Sequence, residues 1–257
     1  MIYIVLPVYN EENNILLLLK EISLLMIDST PHTDYEIVIV DDGSKDNSKV
    51  NINSFISSDA YNDNLKSTIS FHYHQKNKGL AEALKTGILY CVEKGKERDI
   101  VITMDSDNTH TPGLIFSMLL LIYQGNDIVV ASRYKPGSRL VGVPIIKKLV
   151  SYVGSIIFRV LFPIQNVKDY TSGYRAYKLS LLKKYFKDNS NFISEPGFTC
   201  IVDIMLKMRL SKENLIINEV PLILRYDKKD GASKMDIGVT TIQMLKLIFK
   251  RKFGIRN

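Results

Sequence analysis

Continuous apolar runs alternate with amphipathic stretches through the first half of the chain. Runs rich in Val and Ile predict five strands, at residues 2–10, 35–44, 68–75, 99–107 and 126–134. Helical periodicity occupies residues 11–28, with Glu11 and Glu12 in the first turn, and residues 79–95, between two glycines. Apolar strands joined by helices are typical of a parallel sheet with helices on both faces. The predicted class is therefore α/β with a mostly parallel central sheet.

Polar side chains, with one proline, stand at the ends of these predicted strands. They are Pro7, Tyr9 and Glu11 at the end of the first strand, Asp41 and Asp42 at that of the second, Asp105 and Asp107 at that of the fourth, and Arg133 at that of the fifth. In a parallel sheet, ligands bind beyond the carboxyl ends of the strands. We therefore expect these residues to share one site along that edge, which we call the rim.

The pair Asp105 and Asp107 has the most distinctive spacing. Residues i and i+2 of an extended segment point to the same side, and two carboxylates so close repel unless a cation neutralises them. Mg²⁺ and Mn²⁺ prefer such oxygen ligands and complete their coordination with substrate phosphates. The alternative is an acidic turn that caps a helix beginning near Pro112. The position after a strand of a parallel sheet favours the metal site.

Charge is distributed unevenly along the 257 residues, whose formal net charge is +7. Residues 1–132 carry ten basic and eighteen acidic side chains, residues 133–187 twelve and one, and residues 234–257 six and one. The basic segments predict an anionic partner, although a solvated basic face would have the same composition. Apolar residues separate the charges over residues 145–162, which favours a membrane surface over nucleic acid. The second half is thus expected to contain basic amphipathic helices.

Other patterns narrow the class of protein. No uncharged apolar run is long enough to cross a bilayer, and the nearest candidate, residues 149–158, has basic flanks. The first residues lack the features of a secretory signal. Cys91 and Cys200 have no metal-ligand spacing, so we expect buried free thiols in a reducing compartment. The size and the 46% hydrophobic composition suit one large domain.

Several stretches, in this order, resemble the motifs of family 2 glycosyltransferases with the GT-A fold. They are LPVYNEE, IVDDGSKDNS, NKGLAEALKTGI, MDSDNTHTP, VASRY and DYTSGYRAY. The nearest resemblance is to the branch of dolichyl-phosphate mannose synthases and related polyprenyl-phosphate sugar transferases, and it covers nearly the whole chain. It implies one catalytic domain over residues 1–235, with a nucleotide-sugar half at 1–132 and an acceptor half at 133–235. Residues 236–257 would form a basic amphipathic helix and tail.

The resemblance also implies roles for individual residues. Catalytic roles fall to Asp105, Asp107, Arg133 and Lys228, with Asp105 and Asp107 holding Mg²⁺ or Mn²⁺. The nucleotide sugar would contact Pro7, Tyr9, Glu11, Asp41, Lys78, Gly79, Ser233 and Lys234. The acceptor phosphate would contact Arg133, Lys147 and Ser151.

The chain departs from the family pattern at a few positions. Thr109 replaces a glutamine after the two aspartates, so Thr109, Asn108 and His110 are all candidates for a third metal ligand. Lys147 and Lys228 stand where arginine is commoner, which keeps the charge but loses the bidentate fork. Around TSGYRAY we predict a turn and then a helix, with Tyr174 and Tyr177 in the core. Polar neighbours there would shape the acceptor side, namely Asp169, Ser172 and Arg175.

The implied reaction moves a hexose, with mannose favoured, from a nucleotide sugar to a polyprenyl or dolichyl phosphate with inversion. GDP-mannose is the favoured donor and UDP-glucose the alternative. The enzyme would work peripherally on the cytoplasmic face of a membrane, without a transmembrane helix and without nucleic acid, and the resemblance allows a small membrane subunit as partner. A phosphate acceptor is already anionic and needs no general base.

Three other functions are compatible with parts of the pattern. A transferase acting on a sugar hydroxyl, as in glycan or cell-surface polysaccharide synthesis, would need a base, for which Asp203 is the candidate. A nucleotidyltransferase would have a Gly-rich loop after the first strand, where PVYNEEN stands instead. A membrane-binding module without activity would leave the acids at several strand ends unexplained.

Overall fold

Strands and helices alternate along the chain, as the apolar pattern predicts. The computed structural model describes residues 1–29, 34–58, 68–188, 192–210, 214–231 and 236–254. The strands in these ranges are β1 (Ile2–Val8), β2 (Tyr35–Asp41), β3 (Thr68–Tyr73), β4 (Ile100–Thr103), β5 (Ile128–Ser132), β6 (Arg139–Val141), β7 (Arg175–Lys178), β8 (Ile217–Pro221) and β9 (Ile223–Arg225). The α-helices are α1 (Ile15–Ser29), α2 (Ser48–Ile56), α3 (Leu80–Lys94), α4 (Leu114–Tyr123), α5 (Ile145–Leu161), α6 (Leu179–Asp188), α7 (Thr199–Leu210) and α8 (Ile237–Phe253).

Seven strands form the central sheet in the order β3-β2-β1-β4-β7-β5-β8. All neighbours in it pair in parallel except β7, which is antiparallel to both β4 and β5. Alternate residues of β1 enter opposite cores: Tyr3 and Val5 pack on the α3 side and Ile4 on the α1 side. Helices therefore cover both faces, and the predicted mostly parallel α/β fold is confirmed.

Two local predictions are wrong. α1 begins at Ile15 rather than at residue 11, because Asn10 adopts a left-handed conformation (φ 51°) and turns the chain toward residues 44–48. The backbone N–H of Glu11 then donates to Ser48 Oγ at 2.7 Å, ahead of the helix. The segment predicted as a turn and helix instead contains β7, whose insertion between two central strands buries Arg175, while the helix starts at Leu179. Tyr174 and Tyr177 are buried, as expected.

The second half adds a short parallel ribbon of β6 and β9 and two long helices, α5 and α8. α8 packs on α7, where Leu247 is buried and the Arg251 guanidinium binds Asp203 Oδ1 at 2.6 Å. Among the described helices, none is long and apolar enough to cross a bilayer. Cys91 and Cys200 are free and buried, as predicted.

Candidate active site

A cavity of about 630 Å³ opens at the rim, beside the ends of β4 and β5. It is lined by the predicted metal pair, Asp105 and Asp107, and by the predicted acceptor residues, Arg133, Lys147 and Ser151. The tertiary structure thus brings the predicted metal pair and the predicted acceptor residues to one place. Of the residues predicted to contact the nucleotide sugar, those that the structure describes lie outside this lining, namely Pro7, Tyr9, Glu11, Asp41, Lys78 and Gly79. Glu11 lines a second, polar cavity of about 360 Å³.

Asp107 is held from both sides. Its Oδ1 accepts hydrogen bonds from the Thr109 hydroxyl at 2.6 Å and from the Thr109 backbone N–H at 3.2 Å. Its Oδ2 lies 2.5 Å from the ammonium of Lys229. Desolvation opposes ionisation of Asp107, but the Lys229 charge and these hydrogen bonds outweigh it and lower the pKa. Asp107 is therefore an ionised carboxylate that already carries one cation.

Asp105 faces the cavity beside His110. The Asp105 backbone N–H donates to His110 Nδ1 at 3.2 Å, so a neutral ring carries its proton on Nε2, which lies 3.8 Å from Asp105 Oδ2. His110 also stacks on Tyr174, with 5.1 Å between the ring centroids. Desolvation raises the pKa of Asp105.

The residues around the two aspartates fit a divalent cation whose coordination is completed from outside the chain. The Thr109 hydroxyl is engaged by Asp107, and the Asn108 amide turns away to Asn14 Oδ1 at 3.2 Å. Among the described residues, no group of three or more His, Cys, Asp or Glu side chains converges as a metal site. Two carboxylates plus substrate phosphates are, however, a usual Mg²⁺ environment.

Arg133 projects from the end of β5 but is already paired. Its Nε and Nη2 each lie 2.7 Å from an oxygen of Asp169, which is fully buried. Asp169 sits in a loop that is itself held by Arg175, whose guanidinium donates to the carbonyls of Tyr170 and Ser172 at 2.7 and 2.8 Å. Arg175 thus stabilises the loop that carries Asp169, and it does not line the cavity.

The other acceptor residues are linked to tyrosines. Lys147 Nζ donates to the Tyr226 hydroxyl at 2.7 Å, and the hydroxyls of Ser151 and Tyr134 lie 2.6 Å apart. These contacts join α5 to the rim. Lys147 lines the cavity, and among the described residues no carboxylate pairs with its ammonium group.

On the predicted nucleotide side, Asp41 and Asp42 bind different neighbours. Asp41 is fully buried and its Oδ1 accepts from the Ser44 N–H at 2.9 Å. Asp42 instead accepts from the N–H groups of Lys78 and Gly79, at 2.9 and 2.7 Å. The turn before α3 is thereby fixed to the end of β2. Sequence reasoning did not assign this role to Asp42, although its place beside Asp41 at a strand end was a signal.

A further difference concerns the segment after β9. Lys228, the predicted catalytic lysine, points outward and lies 3.5 Å from Glu21. Its neighbour Lys229 is the residue that reaches Asp107 and lines the cavity. The sequence alone does not show which of these two neighbouring lysines faces Asp107, because the direction of each side chain follows from the turn at Tyr226–Lys228. Ser233 and Lys234 lie outside the described residues.

Asp203, the candidate base for a hydroxyl acceptor, lies in α7 and not in the cavity lining. It is almost fully buried and forms ion pairs with Lys207 at 3.0 Å and with Arg251 at 2.6 Å. Two cations on a buried carboxylate indicate a structural pair that holds α8 in place.

Similarity to known proteins identifies the family of the chain. The description "Glycosyl transferase family 2" matches residues 3–186. The chain is 27% identical to dolichol-phosphate mannosyltransferase of Pyrococcus furiosus. The match covers 96% of this chain, which spans 62% of the length of that relative. It is 30% identical to undecaprenyl-phosphate mannosyltransferase of Micrococcus luteus, covering 91% of this chain and 87% of the relative.

Two further similarities concern the sugar and the fold. The chain is also 30% identical to a UDP-N-acetylglucosamine–dolichyl-phosphate N-acetylglucosaminyltransferase of Methanococcus voltae. That match covers 88% of this chain and 86% of the relative. The fold matches glucosyl-3-phosphoglycerate synthase of Mycobacterium tuberculosis, solved with Mn²⁺, UDP-glucose and phosphoglyceric acid. That match has a TM-score of 0.63 and 21% identity, over 100% of this chain and 81% of the other. The chain is a glycosyltransferase and belongs to glycosyl transferase family 2.

Proposed function

We propose that this enzyme transfers a hexose from a nucleotide sugar to a polyprenyl phosphate, with inversion at the anomeric carbon. The observation that carries the proposal is the lining of the cavity. Asp105, Asp107 and Arg133 stand at one end, and the wall continues between α5 and α8. That continuation is apolar and includes Leu149, Val153, Ile157, Phe198, Met244, Leu245 and Ile248. A charged end with a long apolar arm fits a phosphate attached to an isoprenoid chain.

The charged end supports the chemistry of the transfer. Asp105 and Asp107 would hold a divalent metal, which supplies positive charge to the leaving diphosphate. Lys147 and the outer face of the Arg133 guanidinium would orient the acceptor phosphate. An anionic phosphate can attack without losing a proton. Among the described residues that line the cavity, the carboxylates are Asp105 and Asp107, which this proposal assigns to the metal, and His110 is held by the Asp105 backbone N–H and by stacking on Tyr174.

The surface around the apolar arm supports work at a membrane. Several large apolar side chains there are more than half exposed: Ile145, Ile146, Leu149 and Val160 on α5, and Ile242, Leu245, Phe249 and Phe253 on α8. Exposed Lys246, Lys250 and Lys252 flank them on α8. Apolar and basic groups on adjacent helices favour an anionic bilayer surface, which we take to be the cytoplasmic face.

Mannose is the favoured sugar, because two of the relatives are named for mannosyl transfer. The relative named for N-acetylglucosamine keeps UDP sugars as the second candidate. GDP-mannose and UDP-glucose are therefore the first two donors to assay, with and without a small membrane subunit. Residues 1–132 would bind the donor and residues 133–235 the acceptor.

Product analysis with radiolabelled donors tests the proposal. The purified chain in Mg²⁺ or Mn²⁺ is given labelled GDP-mannose or UDP-glucose with polyprenyl phosphate, polyprenol or a free sugar acceptor. We expect a mild-acid-labile labelled lipid from the phosphate alone. Labelled polyprenol or oligosaccharide, with no sugar on the lipid phosphate, would support the hydroxyl-acceptor alternative and contradict the proposal.

A further inference from the structure

A strap of residues 225–231 crosses the rim and places a lysine on the candidate metal pair. Arg225 N–H donates to the Thr109 carbonyl at 2.9 Å, and Asn14 Nδ2 donates to the Asp230 carbonyl at 3.2 Å, so the strap is anchored at both ends. Between these anchors the side chain of Lys229 is 11% exposed and its ammonium lies 2.5 Å from Asp107 Oδ2.

We propose that Lys229 is a resident counter-ion, which occupies the cation position at Asp107 until a divalent metal displaces it. This inference rests on the proposed metal site at Asp105 and Asp107. Displacement moves the ammonium from Asp107 into the cavity, where the donor diphosphate would lie. Metal binding and the approach of a positive charge to the donor are thereby coupled through one side chain.

The two oxygens of Asp107 explain why the cations exchange. Oδ1 already accepts two hydrogen bonds from Thr109, which uses both of its lone pairs. Oδ2 is the oxygen left for a metal, and it is the one that binds Lys229. A Mg²⁺ ion lies about 2.0–2.1 Å from its ligands. An ammonium on the same oxygen would stand within a few ångströms of a doubly charged ion, and both Lys229 and Asp107 are largely buried, so the repulsion would be strong.

The anchors determine where the displaced lysine goes. Asn14 and Thr109 hold the strap through its backbone, independently of Lys229, so the side chain can leave Asp107 while the strap stays at the rim. Lys228, one residue earlier, points to Glu21 on the outer face and cannot take this role without rebuilding the turn. Lys228 is therefore a matched control of the same charge and in the same segment.

Competitive lysine labelling of the full chain tests the exchange. Reductive methylation at one pH, with and without Mn²⁺ as the only added ligand, is quantified for each lysine by mass spectrometry. We expect the methylation rate of Lys229 to rise severalfold with Mn²⁺ and that of Lys228 to stay constant. Mn²⁺ binding is measured in parallel by calorimetry.

The Lys229→Met variant provides a second measurement. Removal of the competing cation should tighten Mn²⁺ binding by about tenfold, whereas Lys228→Met should leave it unchanged. If Mn²⁺ binds the wild type but labelling of Lys229 does not rise, the exchange is refuted and the proposed metal site stands. If no Mn²⁺ binds, the metal site and the exchange both fail.

Discussion

Both oxygens of Asp169 bind the guanidinium of Arg133, at 2.7 Å from Nε and 2.7 Å from Nη2. Asp169 is fully buried and also accepts the backbone N–H of Ser172 at 3.1 Å. The direction of Arg133 is therefore set by a buried carboxylate and its loop before any ligand arrives. Nη2 also donates to the Thr171 hydroxyl, so among the described contacts Nη1 is the nitrogen left for an acceptor phosphate.

We predict that Asp169→Asn destabilises the protein and impairs use of the acceptor. Removal of one charge from a buried pair leaves the Arg133 charge uncompensated, which costs about 3–5 kcal/mol of unfolding free energy. The KM for polyprenyl phosphate should rise while the KM for the sugar nucleotide stays constant. The Arg133→Ala variant should change the two KM values in the same way. Chemical denaturation and initial rates measure both effects. The control is Asp127→Asn, whose carboxylate forms a more exposed pair with Lys178. An equal loss of unfolding free energy in the control, or a rise in the donor KM alone in Asp169→Asn, would contradict the prediction.

Acid should weaken this pair. Burial opposes ionisation of Asp169, but Arg133 outweighs it, so the folded-state pKa lies below the ordinary value. Such a carboxylate contributes stability above its unfolded pKa of about 3.9, and the contribution is lost as the pH falls through the folded value. The difference in unfolding free energy between wild type and Asp169→Asn should thus narrow from pH 7 to below about pH 4. If urea titrations gave the same difference in unfolding free energy at both pH values, the pair of Asp169 and Arg133 would not be its source.

Neutralising the metal pair should abolish transfer without unfolding the protein. Asp105→Asn and Asp107→Asn replace a charged ligand by an amide, and each should lower kcat by at least about 100-fold. Circular dichroism should remain that of the wild type, because both side chains face the cavity. Full activity of both variants, or of the wild type in excess EDTA, would refute metal dependence.

The Asp203→Asn substitution should lower the stability of the fold and leave kcat nearly unchanged. The carboxylate binds Arg251 and Lys207, so its loss should loosen α8 and reduce the melting temperature. No proton leaves a phosphate acceptor during the transfer, so kcat should remain near the wild-type value when the variant is folded. If Asp203 were a general base, kcat would drop by about 10²–10⁴-fold instead. A folded variant with that loss would favour a hydroxyl acceptor.

Exposed lysines of α8 should contribute to binding of anionic membranes. Each basic group near such a surface is worth about 1 kcal/mol, so Lys246→Gln with Lys252→Gln should weaken binding by roughly 30-fold. Vesicle sedimentation with anionic lipid measures this, and neutral vesicles serve as the control. Equal losses on both kinds of vesicle would point to damage to α8 rather than to lost charge. Arg251 is left unchanged because it anchors α8 to Asp203.

The sequence alone determined the fold class and identified strand ends that meet at one edge of the sheet. Runs of Val and Ile identified the parallel strands, because strands buried on both faces must be apolar throughout. Their ends marked the rim, so Asp105, Asp107 and Arg133 were predicted together and lie together. Local patterns suffice here because carboxyl ends of parallel strands meet at one edge.

Tertiary structure decided the order of the sheet and the partners of the charged residues. Four residues of β7 enter between β4 and β5, which no local pattern indicates because the pairing joins segments far apart in the chain. The choice of Lys229 over Lys228 for Asp107, and the burial of Asp203 between Lys207 and Arg251, likewise depend on distant elements. A charge in a sequence has many potential partners, and only the packed chain selects one.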